Sequence, residues 1–185
     1  MELTVLSTSI SEPVTVQDCK DYIGYSDSDQ DAAIARMIQT AREWLEKRCS
    51  LSLVNKQYKA YFTKADAVNG WYELPVSPVL STPDLVVSIM GTETTDYETK
   101  GLNVIKIKPY LLYSTVAIGS TTYTWYMEVT FNAGATNHIA NEIIRKIAAT
   151  MFLQREDGAG GEVLIGRLPY DTLRLIESIN KNTGL

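Results

Sequence analysis

The stretch YTWYMEVTFNAGATNHIANEIIRKIAATMFLQRE, residues 123–156, decides the fold because it carries two different periodicities end to end. In its first part Tyr123, Trp125, Met127, Val129 and Phe131 alternate with Thr124, Tyr126, Glu128, Thr130 and Asn132, the period of two expected of a strand with one face on a core. In its second part Ile139, Ile143, Ile147 and Met151 recur at helical spacing, with Ile144, Ala148 and Phe152 beside them, and form a wide apolar face. A chain that switches pattern in this way holds sheet and helix in separate parts of its sequence, which is the α+β class.

Toward the N-terminus the same strand texture continues back to about Leu53, in the runs KQYKAYF, WYELPVSPV, LVVSI and LNVIKIK, each broken by turn residues. Their connections are too short for helical crossovers, so the sheet is expected to be antiparallel. Before them lie two helices. TVQDCKDYIG predicts a short one, with Thr15 as cap, Asp18 completing a capping box and Gly24 stopping it. A second follows the acidic cluster DSDQD, whose carboxylates suit a helix N-terminus. Its stripe is Ile34, Met37, Ile38, Ala41, Leu45 and Cys49, flanked by Trp44.

Toward the C-terminus stands GGEVLIGRLPYD, residues 160–171, which nearly spells a phosphate-binding loop. It fails chemically: Arg167 stands where the motif needs Lys, Leu168 stands where it needs a hydroxyl, and a helix rather than a strand precedes it. Gly158, Gly160, Gly161 and Gly166 fit a hinge instead. Beyond it PYDTLRLIESINKN predicts a final helix with Pro169 in its first turn, whose Leu173, Leu175, Ile176 and Ile179 could fold back on the same core or dock on another chain.

The whole chain of 185 residues is 45% apolar, enough for one core with a small appended layer. It has no run of eighteen apolar residues and no secretory start, so a membrane is not expected and the chain is expected to be made in the cytosol. Cys19 and Cys49 are too few and too far from histidines for a zinc site, and His138, the single histidine, has no triad partners. No catalytic residue, metal or cofactor is expected, and a hydrolase or nucleotide enzyme lacks an assembled acid, base and nucleophile.

Seventeen basic against 22 acidic residues give a net charge of −5, without the basic footprint of a DNA-gripping protein. The first two helices carry Arg36, Arg42, Lys47 and Arg48, but a helix-turn-helix reading would place DSDQD against phosphates. Trp71, Tyr72, Trp125 and Tyr126 lack the basic partners of a base-stacking surface and fit a sheet core or a subunit contact better.

Six stretches in order, SEPVTVQDCKDYI, DQDAAIARMIQTAREWLEKRCSLSLVNKQYKAYF, LPVSPV, VTFNAG, EIIRKIAATMFLQRE and LPYDTLRLI, resemble the head-to-tail connector, or adaptor, family of long-tailed bacteriophages and prophages. The resemblance spans nearly the whole chain. It implies a virion structural protein and not an enzyme: a ring of subunits, twelve by analogy with the portal, beneath the portal vertex after DNA packaging. The ring joins the head to the next head-completion (stopper) or tail protein. Such a protein would be found in the neck of the virion, and in the host cytoplasm during assembly. The family's shortest members are almost wholly helical, and the β-rich middle here resembles the longer ones. A DNA-binding or packaging-associated factor, with the β region as contact surface, is the competing expectation.

The expected organisation is therefore a single adaptor domain. It has N-terminal helices in 1–52, a central antiparallel β-rich insertion in 53–134, a long helix in 135–156, a glycine-rich hinge in 157–168 and a terminal helix in 169–185. Three surfaces follow as candidates. Tyr170, Leu173, Leu175, Ile176 and Ile179 are expected to dock on the portal or a neighbouring subunit, ordering on assembly, so that removing 169–185 leaves a folded monomer. Gly158, Gly160, Gly161 and Gly166 form the joint. Asp27, Asp29 and Asp31 are a candidate acidic channel face, past which double-stranded DNA slides without specific binding.

Overall fold

In the computed structural model, residues 1–8, 11–80, 85–101, 104–107, 117–118, 121–122, 125–154 and 168–182 are described. The chain divides into two compact units, one of Met1–Ser9 with Asn55–Ala135 and one of Ile10–Val54 with Thr136–Leu185. The α+β class and antiparallel sheet expected from the two periodicities are both present.

The helical unit holds α1 (Val16–Ile23), α2 (Asp31–Cys49), α3 (His138–Leu153) and α4 (Tyr170–Asn182). Around α1 the capping box forms as its sequence requires. Thr15 Oγ1 accepts the Asp18 N–H at 3.0 Å, Asp18 Oδ2 accepts the Thr15 N–H at 3.0 Å, and Gly24 closes the helix at φ 77°. Asn137 caps α3, its Oδ1 accepting the Ala140 N–H at 2.9 Å. Pro169 stands just before α4, and its carbonyl accepts the N–H groups of Thr172 and Leu173.

The core of this unit is the meeting of two apolar stripes. Ile34, Ile38, Ala41 and Leu45 of α2 are buried in one cluster with Ile143, Ile144, Ile147 and Met151 of α3. Removing each such large side chain from water contributes about 1.5–3 kcal/mol. Cys19 and Cys49 are free thiols in the same cluster, and burial pushes both above the ordinary thiol range.

A buried ion-pair network crosses this apolar surface. Arg42 donates from Nε to Glu12 at 2.7 Å and from Nη2 to the same carboxylate at 3.0 Å, while its Nη1 donates to Glu46 at 2.8 Å. Burial opposes the charge on Arg42, and the Glu12 hydrogen bond with the carboxylates of Glu46, Glu12 and Glu43 outweighs it, so the guanidinium is held above its ordinary value. The other Glu46 oxygen accepts the Leu53 N–H at 2.8 Å. One pair on α2 therefore ties down both the segment that enters this unit and the segment that leaves it toward Asn55.

The β-rich unit holds β1 (Glu2–Thr8), β2 (Lys56–Phe62), β3 (Tyr72–Glu73), β4 (Val86–Ile89), β5 (Thr92–Thr94), β6 (Tyr97–Lys100), β7 (Val104–Ile107), β8 (Ala117–Ile118), β9 (Thr121–Thr122) and β10 (Met127–Ala133). A five-stranded sheet runs β1-β2-β10-β4-β5, a three-stranded one β3-β7-β6, and β8 pairs with β9. The alternation expected of 123–131 holds where it is described: Trp125, Met127, Val129 and Phe131 are buried, and Tyr126, Glu128, Thr130 and Asn132 are half-buried. Tyr72, Ile105 and Ile107 of the smaller sheet share one core with Tyr58, Phe62, Val129 and Phe131 of the larger. Rings fix its geometry, with Phe62 edge-on to Tyr72 at 5.5 Å and Tyr58 stacked near Phe131 at 5.6 Å.

Two findings differ from the sequence expectation. Glu2–Thr8, placed with the N-terminal helices, is a strand paired antiparallel with β2. WYELPVSPV contributes only Tyr72–Glu73 to a ladder, because Pro75 and Pro78 lack the N–H that a longer strand would donate. Among the described residues no helix is long and apolar enough to cross a membrane.

Arg42→Ala removes the cation that faces the carboxylates of Glu12 and Glu46 and is expected to lower the unfolding free energy by about 3–5 kcal/mol, read from urea denaturation. Glu46→Gln, which keeps an acceptor for the Leu53 N–H while removing the charge, is expected to cost less than Glu46→Ala in the same measurement.

Candidate functional site

Among the described residues no group of three or more His, Cys, Asp and Glu side chains is placed to hold a metal ion. His138 is the exposed first residue of α3. Three parts of the surface correspond to the candidates above.

The first is α4, whose residues separate into two faces. Thr172, Ile176 and Ile179 are buried and Leu175 is half-buried, with Ile176 and Ile179 in the core of the helical unit. Tyr170 and Leu173 are 67% and 43% exposed, and the Arg174 guanidinium lies over the Tyr170 ring at 4.8 Å. Of the five candidate docking residues, Ile176 and Ile179 therefore serve the chain's own fold. Removing 169–185, the cut expected to leave a folded monomer, would uncover part of this apolar core. Helical spacing accounts for the division, with 172, 176 and 179 on one side and 170, 173 and 174 on the other. Gly158, Gly160, Gly161 and Gly166 lie outside the described residues.

The second is the acidic link between α1 and α2. Asp27 and Asp29 are exposed, and Asp29 accepts hydrogen bonds from the Tyr25 hydroxyl and, at 3.0 Å, from Gln30 Nε2. The Tyr25 bond first, and then Gln30, hold the Asp29 carboxyl below its ordinary range. Tyr25 also packs against Phe152 at 5.3 Å between ring centroids, which joins this link to α3. Asp31 differs: it accepts from the buried Lys20 ammonium at 2.9 Å, and its charge is met within the fold. The three carboxylates thus fall into an exposed pair and a structural partner.

The third is the basic set that a DNA reader would need. Arg36, Lys47 and Arg48 are exposed, but Arg42 is enclosed by Glu12 and Glu46, with all three of its guanidinium nitrogens already donating to carboxylates. Tyr72 and Trp125 are core residues stacked 6.1 Å apart, and Lys106 lies over Trp71 at 5.3 Å. Of these, Arg42, Tyr72 and Trp125 are spent on the fold, while Arg36, Lys47 and Arg48 remain exposed, and Trp71 and Trp125 have lysine partners in Lys106 and Lys64. Sequence reasoning missed the burial of Lys20, Arg42 and Glu46; the one available signal was the i, i+4 spacing of Arg42 and Glu46 beside the apolar stripe.

Residues 13–100 match the family model described as "Phage gp6-like head-tail connector protein". Over that span, a little under half of the chain, the sequence is similar to phage gp6-like head-tail connector proteins. The matched segment runs from just before α1 to the end of β6, and so takes in the acidic link, Arg42 with Glu46, and part of both units. Among curated proteins none matches the chain.

Among solved structures the fold is similar to that of a chain in the virion of the native gene transfer agent (GTA) particle, with TM-score 0.67 at 19% identity over 96% of this chain and 94% of that one. A chain in the neck of the empty GTA particle, computed with C6 symmetry, gives TM-score 0.64 at 19% identity over 97% and 95%. One in the neck of the native GTA particle, computed with C12 symmetry, gives 0.64 at 18% over 97% and 94%. The likeness covers both the connector-family segment and the strands and helices that follow it.

The two faces of α4 should separate in mutagenesis. Ile176→Ala is expected to cost about 2–5 kcal/mol of stability, whereas Leu173→Ala should change it by less than about 0.5 kcal/mol, both by thermal or urea unfolding. Asp18, held low first by the Thr15 side chain, and Asp29 favour the folded state at neutral pH. That contribution is full above the unfolded carboxyl value of about 3.9 and is lost as the pH falls through the lowered folded values. The stability difference between the native chain and Asp18→Asn is therefore expected to narrow below about pH 4 in an acid titration followed by circular dichroism.

Proposed function

We propose that this chain is a subunit of a ring beneath the portal vertex of a phage or phage-like particle, joining the DNA-filled head to the neck or tail. The observation that carries the reading is the connector-family match over residues 13–100 within a fold similar over 96–97% of the chain to chains from GTA virions and necks. The C6 and C12 symmetry of those necks supports side-by-side copies, and twelve matches the portal by analogy. A head-to-tail subunit needs two complementary surfaces that close by rotation.

In this reading the outer face of α4, with Tyr170, Leu173 and Arg174, meets the portal or a neighbouring copy. Its inner face keeps the helix attached to the core. Asp27 and Asp29 present exposed negative charge, which suits a surface that duplex DNA must slide past, since each basic contact would add salt-dependent affinity. The next head-completion or tail protein then seats on the ring. The work is done by surfaces, and no bond-breaking step is involved.

Disrupting the coding region is expected to give DNA-filled heads that lack tails. Antibody labelling of purified particles should place the chain at the neck by electron microscopy. Absence of the chain from purified particles overturns the proposal. In electrophoretic shift assays at low salt the chain is expected to bind duplex DNA weakly and without sequence preference, or not at all.

A further inference from the structure

Just ahead of β3 the chain reverses over Val68, Asn69, Gly70 and Trp71. The Val68 N–H donates to the Trp71 carbonyl at 2.8 Å, and the Trp71 N–H donates back to the Val68 carbonyl at 3.0 Å. Both residues between them are left-handed, Asn69 at φ 52° and Gly70 at φ 79°. Two such residues inside one hydrogen-bonded pair make a type I′ hairpin turn, for which Asn-Gly is a preferred sequence. Both stand exposed. Behind the turn the Lys106 ammonium lies over the Trp71 ring at 5.3 Å, and Tyr72 enters the core paired with Ile105.

The same dipeptide has a chemistry of its own. Asn69 is the one asparagine of the chain followed by glycine. Glycine places no Cβ beside its own backbone nitrogen, so that nitrogen can attack the Asn69 side-chain carbonyl carbon. The new C–N bond closes a five-membered succinimide, and the side-chain amine leaves as ammonia, taking the Gly70 amide proton. Water then opens the ring at either carbonyl. One opening gives aspartate, and the other gives isoaspartate, in which the backbone runs through the side chain. The turn opposes the first step. A type I′ turn gives its first central residue two positive angles, which puts the Gly70 nitrogen on the far side of the Cα–C bond from the Asn69 Cβ. Ring closure requires rotation about that bond, and rotation breaks the Val68–Trp71 pair.

We propose that Asn69 is a site of spontaneous deamidation whose rate is set by opening of its turn, and that the isoaspartate product keeps the turn from closing again. Isoaspartate adds one carbon to the backbone between Val68 and Trp71, so the two-residue loop cannot restore its pair of hydrogen bonds. Aspartate tolerates left-handed backbone and lets the turn re-form. The Tyr72–Ile105 pairing beyond it confines the change to the turn. This proposal is independent of the reading of the chain as a ring subunit.

Peptide mass mapping of the full chain in mildly alkaline buffer, folded and in urea, tests it. In urea Asn69 is expected to convert faster than any other asparagine, to a mixture of aspartate and isoaspartate. In the folded chain the same conversion is expected at Asn69, about tenfold or more slower, because only the opened turn reacts. After chromatographic separation, the folded isoaspartate form should have lost hydrogen-exchange protection at the Trp71 amide. A folded rate less than about tenfold below the unfolded one overturns the gating. No conversion at Asn69 in the folded chain over about a hundred unfolded half-lives, or conversion in urea no faster than at other asparagines, overturns the site. Undiminished protection of the Trp71 amide in the isoaspartate form overturns the effect on the turn.

Discussion

The helical unit depends on the charged pair of Arg42 and Glu46 buried on α2. An apolar stripe alone attracts any apolar partner without fixing its position, because the hydrophobic effect has no direction. Arg42 and Glu46 add direction. The guanidinium fork fits the Glu12 carboxylate with two hydrogen bonds, and Glu46 takes the backbone N–H of Leu53. Glu12 and Leu53 lie on the two segments by which the chain enters this unit after Ser9 and leaves it before Asn55. Both segments are held by one turn of one helix. A lysine at 42 could not replace the fork, since a point charge cannot hold a carboxylate in plane.

That constraint shapes what the surface can do. With the interior polar groups of α2 engaged in the fold, the chemistry available to other molecules lies in exposed features: the outer face of α4, the Asp27–Asp29 pair and the open edge of β1. The same division appears within α4, where a helix of 13 residues is core on one side and surface on the other.

Much of the fold was legible because its signals are local or periodic. The capping box of Thr15 and Asp18 involves residues three apart, so it can be read without knowing the fold. KQYKAYF became β2 with the boundaries its alternation indicates, and the stripe of α2 proved to be its buried face. Among the strands that escaped, β1, β5 and β6 have mostly exposed side chains and polar or unpatterned sequences. Periodicity records burial on one face, and where neither face is buried there is nothing to record.

The sequence by itself determined the class of the fold, the order of helices and most strands, the caps, and the absence of a recognisable phosphate loop in GGEVLIGRLPYD. Its run of six ordered stretches also pointed to the connector family. Only the tertiary structure decided that Arg42 and Lys20 are buried structural cations, that Asp31 is a structural anion, and that Ile176 and Ile179 belong to the chain's own core. It also decided that the first seven-residue strand is an end strand of the five-stranded sheet among the described residues. The reason is physical: capping and periodicity act between near neighbours, whereas the environment of a charge or an apolar side chain is set by residues far along the chain. Glu12 and Arg42 are 30 positions apart, and nothing near either one announces the other.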